Sequence, residues 1–471
     1  MCYYRLYNNL SMTEIISYNP SNNAVIGKVQ ASTPSMIEDI VLESHDAFLH
    51  WKKTPLSKRV EILRWAYMRF VEKKEELAQI VASEMGMPIK LARDEVQYGL
   101  NYFLWYLDNA PKYLSGEVSY ESETELHTVY YEPKGVVAAI TPWNYPFMLF
   151  TWACIQPLLA GNTVVWKISK EVILTGKMIS SIMESSDMPQ WVWNEVYGDG
   201  TVGDYLTDLS IDGITFTGST NVGNHLAKKA HEKWIPVVME LGWSAPGIVC
   251  EDADIDSVLE TIYFMRFSNS WQMCDGLKRL IVHASRYDEL VEKLKEKLLS
   301  KKMGDALDET VDIWPIVSER QRSLLEEQYK DALGKWATVL ATNESFPKDG
   351  GGSYFPAMIL WNILKEMKVW NEEVFWPILP VVPFHSLEEA IELANDTIYG
   401  LWAYVFTRDK STFHTLASAI ESGMVQLNNV NYCIPADPFG GCKASGMGRE
   451  HGKWWFYEFV NVKVLSTPKS L

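Results

Sequence analysis

The chain has 471 residues, 47% hydrophobic and 22% charged, a composition that can bury several cores over about two to three domains. Its net charge of −17 disfavours nucleic acid and anionic membranes as partners. No run of about 18 apolar residues is present, so no membrane-spanning helix is expected. The start, MCYYRLYNNLSMTE, lacks a basic flank before an apolar stretch, so no secretory signal is expected either. The six cysteines, Cys2, Cys154, Cys250, Cys274, Cys433 and Cys442, form no CxxC pair. That argues against a metal site and for thiols of a reducing, cytoplasmic compartment.

In chain order, residues 35 to 111 repeat apolar positions at three and four spacings, which predicts helices, with Gly86 as a stop. "HTVYYE" and "GVVAAIT" read as strands. From 140 to 240 the β-rich runs "NTVVWKI" and "GITFTG" alternate with helical stretches near 147–160, 171–185 and 221–233. That alternation predicts an α/β fold with a parallel, doubly wound sheet. A second alternating region runs from about 241 to 427 and includes "APGIVC", "RLIVHA", "LEEAIELAN" and "YVFT". The tail "FVNVKVLST" reads as a strand that either adds to a neighbouring subunit's sheet or forms an edge within its own chain.

Four stretches could carry chemistry. In "FTGSTNVG", Gly218-Ser219-Thr220 turn from strand into helix and offer backbone N–H groups to a phosphate, although such spacings are more often bare turns. In "SWQMCDGLKR", Cys274 would act as a nucleophile only with a lowered pKa, an open pocket and an acid–base partner. A lone cysteine is usually a small buried hydrophobe. In "VVMELGWSAP", Glu240 follows an apolar run, and burial there would suit a general base acting on water. In "ITPWNYPF", Asn144 could donate to a developing oxyanion or simply make local turn bonds.

Together these stretches, with "LLAGNTVVWK", "EEVFWPILPVV", "IYGL" and "PFGGCKASGMGREHG", resemble the aldehyde dehydrogenase superfamily in order and spacing across nearly the whole chain. The resemblance implies two Rossmann-like doubly wound domains plus a small β oligomerisation element. Residues 1–118 and 140–240 would bind cofactor, 241–427 would be catalytic, and 119–139 with 455–471 would hold subunits together as a homo-oligomer, dimer or tetramer. By position, Cys274 matches the nucleophile, Glu240 the general base and Asn144 the oxyanion donor. Thr141, Trp143, Lys167, Ser169, Lys170, Gly218, Ser219, Leu241, Glu373 and Phe375 match cofactor contacts. No metal is implied.

Departures from the pattern shape the finer expectations. Lys170 stands where NAD-preferring relatives place a Glu, and a cation there suits a 2′-phosphate. NADP is therefore the expected cofactor, with NAD as the other candidate. Trp152 and Ser268 stand where succinate-semialdehyde dehydrogenases of the superfamily often carry arginines, so the bidentate clamp for a substrate carboxylate is missing. Arg266 is left as a replacement candidate. A small neutral or hydroxylated aldehyde such as glyceraldehyde is expected, with succinate semialdehyde as the alternative. Trp152 and Trp271 would wall the substrate pocket. Trp243, Trp271 and Trp376 replace usual glycines and Trp402 a small residue, which puts local loop shape in question. Two competing classes are a CoA-acylating enzyme, opposed by the presence of Glu240, and a silent binding protein on this scaffold.

Overall fold

The computed structural model describes residues 14–267, 272–344, 351–430 and 434–470. Three helices open the chain after a small hairpin: Pro34–Trp51, Leu56–Met85 and Ile89–Leu114. Thr33 caps the first by accepting the Met36 N–H, and Pro34 sits at its first position. The second ends at Gly86, whose φ of 78° is left-handed and whose surroundings would put a Cβ 2.7 Å from Pro20. The stop expected at Gly86 is borne out.

Alternation from 136 to 240 builds the first of two main sheets. Its strand order is Gly446–Met447, Val237–Glu240, Gly213–Thr217, Val136–Thr141, Thr163–Ile168, Trp193–Glu195. All neighbours pair in parallel except the short Gly446–Met447, which runs antiparallel to Val237–Glu240. Every residue of Val136–Thr141 and of Thr163–Ile168 is buried, as helix-covered parallel strands require. The chain then crosses through 241–244 into a seven-stranded sheet. Its order is Thr338–Asn343, Ala357–Trp361, Ile378–Phe384, Leu277–His283, Ala245–Val249, Trp402–Phe406, Met424–Leu427. Only the first pair of that sheet is antiparallel. The α/β, doubly wound fold expected from alternation is therefore present.

A third sheet is small: Val460–Pro468 pairs with Glu125–Pro133, which pairs with Glu117–Glu121. The tail strand thus lies at an edge of a sheet of its own chain, through a nine-residue antiparallel register. Two boundaries differ from expectation. The segment 119–139 divides, with Glu125–Pro133 in the small sheet and Val136–Thr141 in the six-stranded one. The segment 455–471 begins inside the helix Gly452–Glu458 rather than in a strand. The first break falls at Pro133-Lys134-Gly135, between the two strand runs already read from the sequence, whereas the second lies in the aromatic run "WWFYEFV", where helix passes into strand without a sequence mark.

Asn162 joins these layers. Its side-chain oxygen accepts the N–H groups of Lys134 and Gly135 at 2.8 and 3.0 Å, and its amide donates to the carbonyls of Pro157 and Phe459. No helix of the described residues is long and apolar enough to cross a membrane.

Candidate active site

The carboxyl ends of the parallel strands gather the residues singled out by sequence. Val136–Thr141 leads to Asn144, Thr163–Ile168 leads to Ser169 and Lys170, Gly213–Thr217 leads to Gly218 and Ser219, and Val237–Glu240 ends on Glu240 itself. Ligand crevices of open α/β sheets form at this end. Only four residues separate Glu240 from Ala245, where the second sheet begins, and Ala245 pairs with Leu277. Cys274 therefore lies at the amino end of the second sheet, beside the crossing from the first.

The Cys274 segment is pinned on both sides. Gln272 accepts the Val317 N–H at 3.0 Å, and the Asp275 carbonyl accepts the Tyr404 hydroxyl at 2.8 Å. The Tyr145 hydroxyl donates to the Met273 sulfur at 3.8 Å, which ties the loop after Asn144 to the loop before Cys274. Asn144 is 4% exposed, whereas Cys274 is only half-buried. The other described thiols differ. Cys154 is buried, and burial raises its pKa well above the ordinary thiol range. Cys250 is raised to about 12 by burial and the nearby Asp252. Cys442 donates to the carbonyls of Gly400 and Glu421. Cys2 and Cys433 lie outside the described residues.

Glu240 is 3% exposed, and neither carboxylate oxygen has a hydrogen-bond partner among the described residues. Burial pushes its pKa well above the usual carboxylate range, the charge of Glu450 adds to the rise, and Arg449 opposes it. The "PFGGCKASGMGREHG" segment folds over this carboxyl. Gly446 and Met447 pair with Glu240 and Met239, and Leu241 N–H donates to Ser445 at 2.8 Å. Phe439 and Glu450 exchange both backbone bonds at 2.8 Å. A Cβ at Gly440, where φ is +153°, would lie 2.9 Å from Glu240 Oε1, so only glycine lets the backbone approach this closely. Glu450 was missed by sequence reasoning. It is 1% exposed and burial raises its pKa to about 8. The signal for it was an acidic residue inside a glycine-rich run.

Cofactor candidates form two groups. In the first, Lys167, Ser169 and Lys170 line a cavity of about 240 Å³ together with Trp143, Glu171, Asp199, Gly200, Arg320 and Gln321. Burial lowers the Lys167 pKa to about 8, with Asp199 working against the fall. Ser169 caps the short turn that follows it by accepting Glu171 N–H. Thr141 holds the indole N–H of Trp166 at 3.0 Å. In the second group, Phe375 packs edge-on to Trp143 at 5.4 Å and against Trp243 at 6.1 Å. The Glu373 carboxyl accepts the Trp243 backbone N–H and faces Lys278; burial is the larger influence and raises its pKa to about 7.

The glycine turn needs one correction. Gly218 N–H donates to the Glu240 carbonyl at 2.9 Å and is not available to an anion. The donors left without a partner inside the helix are those of the first turn of Thr220–Lys233, which Ser219 precedes as N-cap. Gly218 is still required, because a Cβ would lie 2.6 Å from the Phe216 ring. Gly223 has a matching role: a Cβ would lie 2.3 Å from Leu241, which packs this helix onto the strand end.

Arg266 is also corrected as a replacement clamp. It is fully buried and donates to the carbonyls of Leu277, Trp376 and Ile378, so its guanidinium is spent on the core. Trp152 is 2% exposed and packs against His451, Tyr102 and Phe439 at 4.3, 5.0 and 5.5 Å. Trp243, Trp376 and Trp402 are buried without positive φ, so a large side chain sits at these positions without left-handed backbone strain. Trp271 and Ser268 lie outside the described residues.

The sequence pattern of the aldehyde dehydrogenase family matches residues 7–465. The chain belongs to the aldehyde dehydrogenase family. Its members here include the 3-sulfolactaldehyde dehydrogenase of Pseudomonas putida, 32% identical over 95% of this chain and 92% of that protein. The NADP(+) succinate-semialdehyde dehydrogenase of Escherichia coli (strain K12) is 31% identical over 95% and 93%. Among solved structures, an Escherichia coli NADP-dependent enzyme superposes with a TM-score of 0.92 at 31% identity, covering 97% of this chain and 95% of that one. The betaine aldehyde dehydrogenase of Staphylococcus aureus in complex with NAD+ gives 0.93 at 28%, covering 96% and 91%. The expected family, α/β fold and NAD(P)-linked oxidation of aldehydes are thereby borne out.

Proposed function

We propose that this aldehyde dehydrogenase oxidises a small neutral or hydroxylated aldehyde, glyceraldehyde being the specific candidate, to its acid with NADP in preference to NAD. Cys274, Glu240 and Asn144 carry the chemistry. What supports this most is the chemistry of the three side chains at the ends of the strands where the first sheet passes into the second: a half-buried thiol, a buried amide and a buried carboxyl with no hydrogen-bond partner among the described residues.

The donor set fits a nicotinamide dinucleotide. Lys167, Ser169 and Lys170 present charge and a hydroxyl to an adenosine ribose phosphate. The first turn of Thr220–Lys233 presents N–H groups to a pyrophosphate, and Glu373 and Phe375 present a carboxylate and a ring to the nicotinamide ribose and ring. Bound there, the cofactor supplies the carbon that accepts hydride.

The Cys274 thiolate adds to the aldehyde carbon, forming the C–S bond and moving the carbonyl electron pair to oxygen. Asn144 and the Cys274 backbone N–H hold that oxyanion. Its collapse expels hydride and leaves a thioester on Cys274. Glu240 then takes a proton from water, the hydroxide oxygen attacks the thioester, and the C–S bond breaks to return the thiolate. Glu450 sets the charge beside Glu240. The first sheet serves the cofactor, the second carries the thiol, and the small sheet joins subunits into a homo-oligomer in the cytoplasm.

The aromatic surroundings of Trp152 support an uncharged substrate. His451 in that cluster is held neutral by burial, and Arg266 is committed elsewhere. A second reading, succinate semialdehyde, is supported equally by the names of relatives such as the Escherichia coli enzyme. A spectrophotometric panel of aldehydes with NADP and NAD tests both. Glyceraldehyde leading in kcat/KM is the expected result, and a tenfold lead for succinate semialdehyde, about 1.4 kcal/mol, would overturn it.

A further inference from the structure

The cavity around Lys170 is not built by one half of the molecule. Lys167, Ser169 and Lys170 reach it from the end of Thr163–Ile168 in the first sheet. Arg320 and Gln321 reach it from the first turn of Glu319–Gly334, a helix that belongs with the second sheet. Arg320 is exposed and has no hydrogen bond or ion pair among the described residues, although it faces the Glu171 carboxyl. Its neighbour Arg322 behaves differently: it is bound to Glu319 and Glu326 on its own helix. Two acids line the cavity. Asp199 is engaged by the Thr201 N–H and hydroxyl at 2.9 and 2.6 Å. Glu171 faces Lys170 and Arg320.

We propose that Arg320 is a specificity-determining residue for the 2′-phosphate of NADP, a second cation offered from across the crevice to the group that Lys170 meets from its own sheet. The proposal rests on the NADP reading above. The chemistry is that of a phosphate dianion against a lysine and an arginine. The ammonium supplies a point charge, and the planar guanidinium supplies two parallel N–H donors. A 2′-hydroxyl in the same place carries no charge for the guanidinium to meet, so Arg320 discriminates between the cofactors rather than binding both. Because its helix is fixed to the second sheet, Arg320 couples the 2′-phosphate to the half of the molecule that carries Cys274.

Calorimetric titration of the whole enzyme with NADP+ and with NAD+, without aldehyde, tests this independently of turnover. Arg320→Gln is expected to raise the Kd for NADP+ about tenfold while leaving that for NAD+ within about twofold, and Arg320→Lys to fall between. Raising the salt concentration is expected to narrow the preference in wild type more than in Arg320→Gln. Arg322→Gln, outside the cavity, is the folding and charge control and is expected to bind both cofactors as wild type does. An unchanged NADP+ Kd in Arg320→Gln, or equal weakening of both cofactors, overturns the role of Arg320 while leaving the NADP reading intact. Wild type that binds NAD+ as tightly as NADP+ overturns the NADP reading and the proposal with it.

Discussion

At the scale of single residues, the site turns on one carboxyl pair and one thiol. Glu240 and Glu450 are both buried, and the charge of Glu450 adds to the burial that disfavours ionisation of Glu240. Replacing Glu450 by Gln removes that repulsion. The acid limb of the pH–kcat profile is expected to move to lower pH by about one unit, read from steady-state rates. Stability should respond too. The unfolded Glu450 loses its proton at an ordinary carboxylate pH, whereas the folded one holds it to about 8. Across that interval the folded state binds more protons, so stability falls as pH rises and levels off above it. Glu450→Gln is therefore expected to unfold at a higher temperature than wild type at pH 9 and at nearly the same temperature at pH 4, by differential scanning calorimetry. Asn144→Ala should cost about 10²–10³ in kcat if its amide holds the oxyanion. Retention of wild-type kcat would remove it from the mechanism.

Elements were the most legible level of the sequence, and the site the most uneven. Buried runs such as "GVVAAIT" marked their strands because a parallel strand covered on both faces must be continuously apolar. The left-handed end of Leu56–Met85 was marked by Gly86. What sequence could not supply was anything made by distant segments. Glu450 reaches Glu240 only because the antiparallel contacts at 439–450 and 446–447 fold the tail back over the strand end. Arg320 reaches Lys170 only across two sheets. Arg266 is another such case: nothing in "FMRFS" tells that the carbonyls of Leu277, Trp376 and Ile378 converge on it. Asn162 is a further example, and it is testable. Asn162→Ala strands the N–H groups of Lys134 and Gly135 and removes the donor to the Phe459 carbonyl, and is expected to destabilise by about 2–4 kcal/mol in urea unfolding. A loss below about 0.5 kcal/mol would show that these layers are held by other contacts.

For the whole molecule, the small sheet is the surface that most needs covering. Val460–Pro468 has a partner on one side only, and Val462, Val464 and Leu465 are 64, 55 and 45% exposed on it. An exposed, apolar edge strand of this length invites pairing with another chain. Under the proposed oligomeric role, Val462→Lys with Val464→Lys is expected to shift the sedimentation of the protein to the monomer without loss of the folded circular dichroism. An unchanged oligomer would move the interface elsewhere.

Under the proposed mechanism a thioester forms on Cys274 and is cleared by Glu240. Rapid mixing of Glu240→Gln with NADP+ and a turned-over aldehyde, followed by intact-protein and peptide mass spectrometry, reads it directly. A burst of about one NADPH per active site and an acyl group on the Cys274 peptide are expected, both lost in Cys274→Ala. Undiminished steady turnover in Glu240→Gln, or an acyl group on any other residue, would contradict it.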